Sequence, residues 1–246
     1  MSRATSSRRV RRRLVVPLVG ILAVVATACL PVTLPFEPGT ARPYFCDPTD
    51  TAINDGHAHG GGQMMNDPFH QTYTQPKGPL SGADCRALNS QLMAAQQWVM
   101  QFPTVADAEA AGFKQAAVWS PGQGIHYVDP NRLTGPFDPT RPNWLMYDGT
   151  SPNSKLTGMM FLVASGTYPP AGFPGNNDHW HTHGALCTQM GSWPFIIGEH
   201  LTDAQCAAIG GVNTLFDTMW MVHVWLPEYA GWQATDIFNK THPAIP

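Results

Sequence analysis

The spacing of apolar positions changes several times along the chain. Leu14 to Leu30 is an apolar run broken by Pro17 and Gly20. Residues 30–80 hold no sustained period and are rich in Pro, Gly and polar side chains. From Ser81 the pattern becomes helical. Leu88, Leu92, Ala95, Val99 and Phe102 share one face and predict an amphipathic helix over 83–101, stopped by Pro103. A second short helix is expected from Thr104, with Asp107 in its first turn, to Gly112. Strand-like runs follow at 113–119, 124–128, 143–147, 156–164, 179–188 and 218–226. The third and fourth flank Asp148-Gly149 and read as a hairpin, and Thr202 followed by Gln205 is a capping box that opens a short helix ending at Gly210-Gly211. These elements predict an α+β fold: a curved antiparallel sheet of five or six strands with a few packed helices. The expected organisation is an export signal (1–28), a Pro/Gly-rich tether and leader (29–80) and a single α+β domain (81–246).

Charge sharpens the view of the first segment. Arg3, Arg8, Arg9, Arg11, Arg12 and Arg13 precede the apolar run, as in the basic and hydrophobic regions of an export signal. The run ends Ala26-Thr27-Ala28-Cys29, which resembles a bacterial lipoprotein signal with Cys29 as the lipidated residue, although Ala26 stands where Leu is usual. Simple secretion after cleavage and a retained anchor are the alternatives. Arg8-Arg9 also resembles a twin-arginine signal but lacks the apolar residues that follow such a pair. The expectation is an exported, extracytoplasmic protein tied to the cell membrane by a lipid. Beyond residue 28 the chain has 8 basic against 17 acidic groups, a net charge of −9. Such a surface repels phosphate backbones and excludes nucleic acid as a partner. No protein partner is indicated. Four further cysteines, Cys46, Cys85, Cys187 and Cys206, suit an oxidising compartment. Three pairings are open to them, and proximity favours Cys187–Cys206 and Cys46–Cys85.

The chemistry concentrates in His179-Trp180-His181-Thr182-His183. On a strand, alternate residues share a face, so the three imidazoles point one way. Neighbours two apart can share one ion, whereas the outer two lie about 13 Å apart on a straight strand. His181 and His183 are therefore the expected pair, with His179 as an alternative ligand or a residue behind the ligands. His223, in the apolar run Met219 to Trp225, and His126, in Gly124 to Val128, are the candidate further donors. Three neutral imidazoles with an open position suit a copper or zinc ion, and Met219 and Met221 favour copper a little. Glu199, Asp178 and Glu228 are candidates to orient an imidazole or to serve as a general base. The competing view of the triple histidine is an exposed polar strand face that binds nothing. Similarly, His223 has the alternative of a core histidine bonded to a carbonyl, and Cys187 that of a thiolate ligand. His57, His59 and His70 read as solvated loop residues, although a His-x-His beside Met64 and Met65 could also capture copper. His200 and His242 read as surface residues.

No Gly-x-Ser-x-Gly elbow, phosphate-binding loop or His-Glu-x-x-His helix is present in the sequence. Gly124 to Pro130, Pro142 to Tyr147, His179 to Cys187 and His223 to Pro227 are similar to the blocks of an uncharacterised family of exported bacterial proteins, over roughly 83–232. That resemblance implies one domain behind a variable leader and no particular activity. A cupin also presents His-x-His on a strand, but no Glu follows His183 in Gly184-Ala185-Leu186-Cys187. The expected function is transition-metal binding in the cell envelope, as metal handling or as mononuclear metal-dependent chemistry. A structural or ligand-binding surface lipoprotein domain without metal is the alternative.

Overall fold

Ser81 accepts the Asp84 N–H and starts helix α1, Gly82–Val99. A computed structural model describes residues 65–67, 70–72, 81–175, 178–226, 237–238, 241–242 and 245. The export signal, Cys29, Cys46, His57, His59 and Glu228 lie outside the described residues. Short helix α2, Val105–Ala110, opens with a reciprocal capping box between Thr104 and Asp107. Helix α3, Asp203–Ala208, opens with the box formed by Thr202 and Gln205. Among the described residues no helix is long and apolar enough to cross a membrane.

The strands are β1 (Met65–Asp67), β2 (His70–Thr72), β3 (Lys114–Gln115), β4 (Ile125–Val128), β5 (Trp144–Tyr147), β6 (Leu156–Ala164), β7 (His181–Thr188), β8 (Ile196–Glu199) and β9 (Val212–Trp225). They form one sheet in the order β1-β2-β7-β9-β6-β5-β4-β3, with β8 also paired to β7. Every ladder is antiparallel. The fold is thus α+β, but the expectation of five or six strands falls short. Seven strands, β3–β9, make a curled half-barrel, and β1 and β2 extend it. The miss has a local cause: β8 is four residues long, and its strand character comes from pairing with β7 rather than from its own pattern.

Curling needs irregular ladders, because a bulge bends its strand and increases twist. Register breaks fall on β7 between His181 and His183 and between His183 and Ala185. Across from the first break, β9 moves from Met221 to Phe216. An isolated parallel bridge, Ala117 to Ile196, joins the stretch after β3 to β8 and draws the two sides of the curl together. The Ile196 N–H donates to the Ala116 carbonyl, and the Val118 N–H to the Ile196 carbonyl.

Strands β4, β5 and β6 and the second half of β9 are buried on both faces because both are covered, as for strands inside a layered fold. Leu88, Leu92, Ala95 and Val99 of α1 pack with Tyr127, Leu145, Tyr147, Met159, Phe161 and Val222 on the outer face. The Tyr147 hydroxyl donates to the Phe102 carbonyl, tying the sheet to the end of the helical layer. Inside the curl a second core holds Val128, Trp144, Met146, Met160, Leu162, Leu186, Ile196, Met221 and Trp225. Gly124 lets the chain enter β4. Its φ is +77°, and a Cβ there would run into the Tyr147 carbonyl oxygen.

Candidate metal centre

Histidines from three strands meet on the inner face. His126 lies on β4, His181 and His183 on β7, and His223 on β9, and all four are enclosed, with 5%, 1%, 4% and 1% of their surface exposed. An exposed polar strand face is therefore not what these residues form. Ladder pairing accounts for the shared face, since directly opposed residues point to the same side. Met146 is opposite His126, Met160 is opposite His223, and Met221 is opposite His181.

The rings are close. His223 has its centroid 5.2 Å from that of His181 and 5.4 Å from that of His126. His181 and His183 are 5.7 Å apart, at an interplanar angle of 64°. Two imidazoles bonded to one tetrahedral ion at about 2.0–2.1 Å have centroids roughly 5 Å apart. These separations are pairwise. Among the described residues no three His, Cys, Asp or Glu side chains stand grouped to hold one ion.

A cavity of about 30 Å³ lies between β4, β5, β6, β7, β8 and β9, with His126, His183, His223, Glu199, Met160 and Met221 in its wall. That volume holds a water-sized guest, since about 10–15 Å³ suffices for a water and the cavity that admits benzene is near 150 Å³. Burial, followed by the proximity of His223, pushes His126 down to about 3. Its imidazole is thus neutral across the physiological range, the form in which a nitrogen lone pair is available to a metal.

The remaining candidates fall in different places. His179 is buried but precedes β7, which starts at His181, so the expected strand over 179–188 is two residues too long. Its carbonyl lies 3.3 Å from His181 Nδ1. Glu199, at the end of β8, lines the cavity. Asp178 faces the other core, where Oδ2 accepts the Phe173 N–H at 2.9 Å and the Trp180 Nε1–H at 2.8 Å. Cys187 is in a disulfide with Cys206, so it is not a thiolate ligand. Cys85 is also disulfide-bonded.

Two histidines depart from the sequence-based expectation. His242 is not at the surface: it is 1% exposed, its ring is 5.1 Å from Trp225, and its N–H donates to the Gly122 carbonyl. Burial lowers its pKa to about 4. His70 is not in a loop but on β2, in register with His183. His200 is exposed, as expected. Met146 and Met160 were missed. Their signal was the Asp148-Gly149 hairpin, whose register puts both on the inner face of β5 and β6. The chain matches no known protein family, no curated protein and no solved structure.

Proposed function

We propose that this is an exported, lipid-anchored protein of the cell envelope that binds a transition metal ion, copper or zinc, inside the curl of its sheet. The observation that carries the reading is the gathering of four buried imidazoles from β4, β7 and β9, with His223 central to two close ring pairs. Three further features support it. The neutral state of His126 suits a ligand, the cavity suits an ion better than an organic substrate, and Glu199 in its wall offers a carboxylate to orient an imidazole. The small cavity favours metal handling over chemistry on a bulky substrate. A second reading, a surface domain without metal, draws on the absence of a three-donor group of His, Cys, Asp or Glu among the described residues.

The test uses the full-length chain purified without a histidine tag. Bound metal is measured by mass spectrometry before and after reconstitution with copper and zinc. About one tightly held ion per chain is expected, as for a mononuclear site. His223→Gln and His181→Gln should lose it while keeping the native circular dichroism. Wild-type protein that stays metal-free after reconstitution ends the reading.

A further inference from the structure

Three of the buried histidines face methionines. The pairs are His126 with Met146, His223 with Met160, and His181 with Met221, each directly opposed in an antiparallel ladder. Opposed side chains on one face have Cβ atoms about 4.5–5.5 Å apart. A long thioether can therefore reach the space an imidazole faces. Met160 and Met221 both line the cavity with His223 and His126. Met159, one residue from Met160, points to the opposite face and packs in the outer core.

The donor chemistry follows from this arrangement. No three hard or borderline donors group around one point among the described residues, but a pair of imidazoles with a thioether beside them does not need a third. Thioether sulfur is soft and selects Cu(I), whereas zinc takes thiolate, imidazole and carboxylate. Methionine is also a common filler of irregular cores. Filling explains Met159, but it does not require a methionine opposite each of three histidines.

Resting on the metal-binding reading above, we propose that the ion is copper, held as Cu(I) by imidazoles of His181 and His223 with thioethers of Met160 and Met221. No electron transfer is implied: the ion enters and leaves in the reduced state.

The experiment uses the full-length, untagged chain under anaerobic conditions with reductant. Cu(I) affinity is measured by competition with a chromophoric Cu(I) chelator, and Zn(II) affinity by a matching zinc competition. Met160→Leu and Met221→Leu nearly conserve volume and should fold. Each should weaken Cu(I) binding about tenfold or more while leaving Zn(II) binding unchanged. Met159→Leu should change neither. X-ray absorption at the copper edge of the wild-type protein should show sulfur in the first shell, a readout that needs no variant. A shell of nitrogen and oxygen alone, or equal loss of Cu(I) affinity in Met159→Leu, overturns the copper–thioether assignment while metal binding stands. Wild-type protein that takes up neither metal overturns both.

Discussion

Asp178 shows how a single buried charge leaves a mark on pH stability. Its carboxylate accepts two N–H bonds, yet burial outweighs them and pushes its pKa up to about 6. The folded chain then holds this proton more tightly than the unfolded chain, whose Asp titrates near 3.8. By linkage the contribution to stability is fullest below pH 3.8 and is lost as the pH rises towards about 6. His126 and His242 act in the opposite sense. Both are lowered by burial, so acid favours the unfolded chain from pH 6.5 down towards about 3 and about 4. The difference between wild type and Asp178→Asn isolates the carboxylate. Asn keeps an acceptor for both N–H groups and carries no charge. Its stability should match wild type near pH 3.5 and exceed it at pH 7 by up to about 3 kcal/mol, measured by urea unfolding across the range. Parallel curves would show that Asp178 does not titrate as stated. Much at this scale was readable from the residues. The period of two brought the imidazoles of His181 and His183 together on β7, because strand parity is a local property, whereas His179 lies before the strand begins. His242 was not readable, since a lone histidine before a proline carries no sign of being covered by Trp225.

At the scale of elements, what was local was legible. Helix α1, the helix starts at Thr104 and Thr202 and the β5–β6 hairpin follow from residues within a few positions of each other. Strand β8 and the first half of β9 do not. Val212 and Leu215 are 70% and 71% exposed, so no buried alternation marks that half of β9, and its strand form comes from pairing with β7. The Cys187–Cys206 disulfide ties the end of β7 to α3, which precedes that half, across a separation of 19 residues. Replacing both cysteines by Ala should therefore loosen this corner of the sheet. The expected cost is about 3 kcal/mol in the loop-closure model, read as a lower midpoint in guanidinium unfolding. Because the imidazoles reach the inner face through β4, β7 and the second half of β9, the double variant should still load metal under native conditions. An unchanged midpoint would mean that the β7–β9 ladder holds the corner without the bridge.

At the scale of the molecule, the donors are spread through the chain. His126 and His223 are almost a hundred residues apart, and His181 lies between them, so unfolding scatters the site. An ion that binds only the folded arrangement must then raise global stability, and the binding free energy appears as folding free energy. At a free ion concentration of 100 times Kd the gain is about 2.7 kcal/mol. In a chain of this size each kcal/mol moves Tm by about 2–4 °C. Anaerobic Cu(I) should therefore raise Tm by about 5–10 °C, as read by scanning calorimetry with the ion kept reduced. His223→Gln should abolish the rise, because that ring is the neighbour of both His181 and His126. Met159→Leu should retain it, because that side chain belongs to the outer core. Bound copper without a rise in Tm would point elsewhere. Binding to a segment such as His57-Ala58-His59 leaves the sheet no more stable than before, since its two histidines are only two residues apart and need no folded strands to meet.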